Sequence, residues 1–167
     1  MELDLERARE EGYRPQAVGC FVNGGKVFMF FKEDWKLWQF PQGGIEKGET
    51  AEEGLRREMI EELGEEFVSE MGKIEYVGED MVNFPSSARG SLTEKVGSEK
   101  EMKGKKYFFF AIETEKEDID IRKTEFDEYR LVGYDEAKNL ASQIYQKGKR
   151  RITEKVLEEL RNKEIIE

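Results

Sequence analysis

Two apolar runs, Ala17 to Val22 and Lys26 to Phe31, flank Asn23-Gly24-Gly25, residues that tolerate the positive φ angles of a tight turn, and together they predict a β-hairpin. The charged segment over residues 1–12 predicts a short surface helix ending at Gly12. Leu37 to Phe40 reads as a short strand cut off by Pro41, which cannot donate to a ladder. Thr50 and Glu53 have the spacing of a capping box, and Ala51, Leu55, Met59 and Leu63 then form one apolar stripe, so a helix is predicted over 51–63, stopped by Gly64. Lys73 to Gly78 and Met81 to Phe84 predict two short strands, and the polar, Gly- and Ser-rich stretch from Pro85 to Gly104 predicts a long mobile loop. Tyr107 to Ile112 is apolar throughout, as in a strand buried on both faces. The charged stretch Glu113 to Lys123 is a connection, Tyr129 to Val132 a further strand, and Asp135 to Ala141 a short helix. A last helix from about Arg150 to Asn162 follows from Ile152, Val156 and Leu160. No repeat or linker divides the chain, so residues 1–167 are expected to form a single α/β domain, a mixed β-sheet sandwiched between α-helices.

Composition narrows the chemistry. The 167 residues include no histidine, which excludes Ser-His-Asp and Cys-His nucleophiles, His-ligated zinc and haem on a proximal His. With 28 Lys and Arg against 38 Asp and Glu the net charge is −10, which speaks against nucleic-acid binding by broad phosphate neutralisation but not against a metal-bridged phosphate ligand. The single cysteine, Cys20, lies in an apolar run and reads as a buried core thiol, so neither an internal disulfide nor a disulfide-linked partner is expected. No segment approaches the roughly 18 apolar residues of a membrane span, and the acidic start lacks the pattern of a signal peptide, so a cytoplasmic protein without membrane partners is expected.

The most informative stretch runs from Gly43 to Glu65, where eight glutamates are set against Lys47, Arg56 and Arg57. At about 100° per residue, Glu58 and Glu62 stand one turn apart and Glu61 lies about 60° from Glu58, so three carboxylates crowd one side of the helix. A plain solvated acidic face normally carries lysines at i+4 to offset the repulsion, and no lysine occurs between Ala51 and Leu63. A hard divalent cation would supply the missing charge, because Mg²⁺ takes oxygen ligands from one or two carboxylates and from substrate phosphates.

Gly43, Glu49 and the run Arg57-Glu58-Met59-Ile60-Glu61-Glu62-Leu63-Gly64 resemble the loop-helix-loop signature of the Nudix hydrolases. Glu65 departs from it, standing where an aliphatic residue is usual. Gly12-Tyr13-Arg14-Pro15, Trp38 to Ile45, Gly104 to Phe108 and Glu125 to Tyr129 are similar, in the same order, to the branch of RNA pyrophosphohydrolases and dinucleoside polyphosphate hydrolases. Tyr107 and Tyr129 stand where that branch usually has tryptophan, and the segment between Phe84 and Gly104 is longer than usual.

The resemblance implies a Nudix fold and a metal-dependent pyrophosphohydrolase that cleaves a phosphoanhydride of a nucleotide 5′-polyphosphate. Its first implied partner is a 5′-polyphosphorylated RNA end, with diadenosine tetraphosphate the alternative and a non-catalytic nucleotide-sensing module a further one. It places Mg²⁺ or Mn²⁺ on Glu58, Glu61 and Glu62, with the Gly43 carbonyl and the distal Glu125 as further ligands. Spacing leaves the general base open among the glutamates, with Glu61 favoured. Glu49 and Arg57 are implied to shape the loop before the helix, and Arg14, Lys105, Lys106 and Tyr145 to meet substrate. On an alternating strand only one of Lys105 and Lys106 can face the site. Lys147, Lys149, Arg150 and Arg151 form a basic cluster that could guide an RNA backbone or simply be solvated, and Trp35 and Trp38 read as framework. Oligomeric state is left open.

Overall fold

The computed structural model describes residues 3–85 and 102–167. The expected hairpin is β1 (Tyr13–Asn23) against β2 (Lys26–Lys32), antiparallel, with Val22 opposite Val27 and Asn23 opposite Lys26. Gly24 and Gly25 make the turn at φ 58° and 79°, a left-handed pair in which side chains would be strained. β1 is the hub of the sheet. On one side it runs parallel to β6 (Gly104–Glu113) through ten residue pairs, from Tyr13↔Gly104 to Val22↔Glu113. On the other it is shared, β2 pairing with its end and β4 (Gln42–Gly44) with its beginning. The path is β3-β2-β1-β6-β5, where β3 is Leu37–Gln39 and β5 is Ile74–Asn83, and β7 (Glu128–Val132) pairs with β2.

Alternation along the strands builds two apolar layers. Ala17, Phe21, Phe28, Phe30, Phe108, Phe110 and Ile112 face α2 (Ala51–Leu63). Val18, Cys20, Met29, Tyr107, Phe109 and Ala111 face α4 (Tyr134–Ser142) and α5 (Lys147–Asn162). The mixed sheet is thus covered by helices on both faces, as the alternation of elements predicted. Gly19 permits the closest approach of α2, since a Cβ there would lie 2.4 Å from Met59 Sδ. Helix α1 (Leu5–Glu10) forms where expected, but Leu5, Ala8 and Arg9 are buried rather than superficial.

The structure departs from the predicted elements in four places. Pro41 ends β3 without ending the sheet: its carbonyl accepts from Gly19 N at 2.9 Å, a bond that needs no N–H from proline, and the chain re-enters as β4. The two short strands after residue 73 are one strand, β5, with a register shift between Tyr76 and Gly78. After Gly64, at φ 89°, a four-residue helix α3 (Glu65–Val68) sets Phe67 against Phe21 and Phe28, at centroid distances of 4.9 and 5.6 Å. Helix α5 begins at Lys147, earlier than its apolar periodicity indicated, because its first turn carries no apolar stripe of its own and instead brings Gly148 close against Val82 of β5. Most of the loop expected from Pro85 to Gly104 lies outside the described residues. Among the described residues, no helix is long and apolar enough to cross a membrane.

Candidate active site

Helix α2 presents the glutamates, and its start is fixed locally. Thr50 Oγ1 accepts from Glu53 N at 3.1 Å while the Glu53 carboxylate accepts from Thr50 N at 2.9 Å, satisfying two amides that the helix itself leaves open. The loop in front of it is gathered by Arg57. Its guanidinium donates to both carboxylate oxygens of Glu49 at 2.9 and 2.8 Å, to the Gly44 carbonyl at 2.8 Å and to Glu58 Oε1 at 2.8 Å. Glu49 in turn accepts from Glu46 N at 2.7 Å. The bidentate geometry holds the Glu49 carboxyl below its ordinary range and raises the pKa of Arg57. Arg57 also reaches Glu61 Oε1 at 3.4 Å. The charge offset that seemed missing from the helix is therefore partly supplied by this arginine, working across the turn and into the loop rather than as an exposed i+4 lysine.

Gly43 and Gly44 put opposite faces of β4 to use. A Cβ on Gly43 would lie 2.0 Å from Glu58 Oε2, so only glycine lets this carboxylate meet the strand backbone. A Cβ on Gly44 would lie 2.6 Å from Arg14 Nη2, so the Arg14 guanidinium covers the other face.

Glu62 accepts from Gln42 N at 2.6 Å. Burial pushes its carboxyl up to about 8 against the pull of that bond, and the charges of Glu125 and Glu58 act in the same direction as burial. Burial also raises Glu58, with Arg57 opposing and the Glu61 charge adding to the rise. Glu125 is placed by its own backbone, whose N–H donates to the Glu62 carbonyl at 2.8 Å, while Lys32 Nζ donates to the Glu125 carbonyl. Glu58, Glu61, Glu62 and Glu125 thus form one electrostatically coupled set. As the side chains stand, Arg57 engages Glu58 and Glu61 and Gln42 engages Glu62; among the described residues no three acidic side chains converge into a ready cation cage. The donors are all hard oxygens, and a carboxyl whose pKa is raised by burial and like charge is one that a cation would relieve, so the set fits Mg²⁺ or Mn²⁺.

The remaining predicted residues separate. Lys105 lies opposite Arg14 across β1 and β6, on the α5 face, whereas Lys106 points to the α2 face, 2.9 Å from Glu79 and over the Phe108 ring. Tyr145 is 68% exposed and borders a groove of about 280 Å³ lined also by Phe31, Trp38, Leu140 and Ile144. Trp38 packs in the core as framework, but Trp35 is exposed. Sequence reasoning missed Arg9, whose buried guanidinium ties α1 to the loop through the Ile45 carbonyl at 2.9 Å. It also missed the inward placement of Lys149, which burial lowers from its ordinary pKa and the Glu62 charge pulls back.

A NUDIX domain is matched over residues 13–156. An RNA pyrophosphohydrolase of Sulfurovum sp. is 31% identical over 160 residues, covering 90% of this chain and 96% of that protein. Another of Nitratiruptor sp. is 33% identical over 132 residues, covering 73% and 79%. A NUDIX hydrolase from Nitrosomonas europaea has the same fold, with a TM-score of 0.61 at 12% identity over 91% of this chain and 90% of that one. With the domain match and the similarity to these relatives spanning most of its length, the chain belongs to the Nudix family, as a hydrolase acting on pyrophosphate bonds.

Proposed function

We propose that this Nudix hydrolase is a cytoplasmic, metal-dependent pyrophosphohydrolase of nucleotide 5′-polyphosphates, folded as a single domain over residues 1–167, and that its first substrate is 5′-di- or triphosphorylated RNA. The observation that carries this reading is the coupled set Glu58, Glu61, Glu62 and Glu125 with Arg14 on the opposite face of β4 from Glu58, carboxylates for a metal and, across one strand, a donor for phosphate. The similarity, over most of the chain, to proteins named RNA pyrophosphohydrolase supports the choice of RNA. Diadenosine tetraphosphate is the second reading, favoured by the net charge of −10, which suits a small nucleotide better than a polyanion.

Glu58, Glu61, Glu62, Glu125 and the Gly43 carbonyl would hold Mg²⁺ or Mn²⁺. The ion would neutralise the polyphosphate and lower the pKa of the attacking water. Glu61, whose side chain is 56% exposed, accepts the water's proton. Arg57 and Glu49 hold the loop so that Glu58 stays against Gly43. Arg14 and Lys105, on one face of the sheet, meet the phosphates. Lys106 is engaged with Glu79 on the other face. Tyr145 and the apolar groove beside it offer a stacking surface for a base. Phosphate and pyrophosphate release from both substrates, with and without each metal, tests the proposal; turnover confined to ADP-ribose or nucleotide sugars would overturn it.

A further inference from the structure

The buried face of α1 is made of Leu5, Ala8 and Arg9, at the i, i+3, i+4 spacing that shares one side of a helix. Two of these side chains are apolar, and the third is a guanidinium in a residue only 7% exposed. Taking such a charge out of water is costly unless its donors are met. Arg9 Nη1 donates to Glu6 Oε1 at 2.9 Å within the helix, and Nη2 donates to the Ile45 carbonyl at 2.9 Å, 36 residues away in sequence.

The peptide group that carries this carbonyl also carries the Glu46 N–H, which donates to Glu49 Oε1 at 2.7 Å. A planar peptide turns as one body, so Arg9 and Glu49 grip opposite edges of the same unit. The preceding peptide is held in the same manner. Its Gly44 carbonyl accepts from Arg57 Nη2 at 2.8 Å, and its Ile45 N–H donates to the Pro15 carbonyl at 3.0 Å. From Glu49 the contacts run on to the carboxylate set. Arg57 forks onto Glu49 at 2.9 and 2.8 Å and donates to Glu58 at 2.8 Å, and Glu58 stands against Gly43. Glu49 and Arg57 belong to the signature; Arg9 lies outside it and grips the loop from the other side.

Resting on the metal-holding role proposed above for Glu58 and the Gly43 carbonyl, we infer that Arg9 is a positioning residue of the metal site. It fixes the Ile45–Glu46 peptide, the peptide orients Glu49, and Glu49 sets Glu58 through Arg57. Arg9 itself touches neither metal nor phosphate. Without it the peptide turns its carbonyl toward solvent, the Glu46–Glu49 bond opens, and the carboxylates lose their register for a cation.

Two measurements on the full chain test this, amide hydrogen exchange in EDTA and Mn²⁺ binding followed by the electron paramagnetic resonance of the free ion. Arg9→Met keeps the apolar stem. It should speed exchange at the Glu46 amide by about 10- to 100-fold, the range of a lost charge-assisted hydrogen bond, and more than at the β1–β6 amides. It should also weaken Mn²⁺ binding by about 10-fold. If Arg9→Met does not fold, Arg9→Lys, one bond shorter, cannot span Glu6 and Ile45 together and should show both changes at about threefold or more. Glu6→Gln leaves the bond to Ile45 in place and should match the wild type in both. Because Arg9 acts through Glu49, adding Arg9→Met to Glu49→Ala should weaken Mn²⁺ binding by no more than about twofold further. Unchanged exchange at Glu46, acceleration shared equally by the β1–β6 amides, wild-type Mn²⁺ affinity in the Arg9 variant, an equal loss in Glu6→Gln, or full additivity with Glu49→Ala would overturn the inference. A wild type that binds no Mn²⁺ would overturn the metal reading and this inference with it, and is distinct from a wild type and an Arg9→Met variant that bind the ion equally well.

Discussion

Glu62 gives the sharpest handle on the site, because its environment predicts a pH dependence with a definite sign. Folding moves its carboxyl from the ordinary value of 4.5 to about 8. Between those pH values the folded protein keeps a proton that the unfolded chain releases, so stability falls as pH rises, by at most about 1.4 kcal/mol per pH unit for one such group. The contribution is fully present below pH 4.5 and gone above pH 8, with a ceiling of about 5 kcal/mol. Coupling to Glu58, Glu125 and Lys149 spreads the titration, so a loss of about 2–4 kcal/mol is expected. Glu62→Gln removes the titration while keeping an acceptor for Gln42 N. In EDTA, urea unfolding followed by tryptophan fluorescence should show the variant equal to the wild type near pH 5 and more stable by about 2–4 kcal/mol at pH 9. With millimolar Mg²⁺ at pH 8 the order should reverse, since an ion that binds only the native wild-type site stabilises it by mass action. A pH-independent difference between the two proteins in EDTA would refute the buried, charge-crowded position assigned to this carboxyl.

Three other substitutions probe separate parts of the site. Glu61→Gln should lower kcat by about 10²- to 10⁴-fold while leaving the thermal midpoint close to wild type, as steady-state kinetics beside a melting curve will show; an unchanged rate would remove Glu61 as the base and favour a binding module. Gly43→Ala forces Glu58 out of its place against β4, and should cost about 1–3 kcal/mol in urea unfolding and weaken Mg²⁺ binding in a titration. Arg57→Lys cannot reproduce the fork onto Glu49 or reach Gly44 at the same time, so hydrogen exchange should speed up at the amide of Glu46 while the β1–β6 core stays protected.

Local signals in the chain predicted the elements that are built locally. The Thr50–Glu53 box and the Gly24-Gly25 turn are written within a few residues, and both form as expected. The elements that escaped prediction depend on distant partners. β4 exists because β1 leaves its first residues to it, and α3 because Phe67 finds Phe21 and Phe28. The same holds at the site. The glutamates of α2 were legible from their spacing, but the electrostatic link from Glu62 to Glu125 rests on a backbone bond across more than sixty residues of sequence. The partial burial of Lys149 near the Glu62 charge leaves no periodic signal, and in the sequence Lys149 looks like any other lysine in a basic run.

The most direct test of the function proposed here is phosphate and pyrophosphate release from 5′-triphosphorylated RNA and diadenosine tetraphosphate, side by side, with and without Mg²⁺ or Mn²⁺. Metal-dependent release from RNA, with the higher kcat/KM of the two, is the predicted result. Release that persists in EDTA, or no release from either substrate with both metals present, would contradict it.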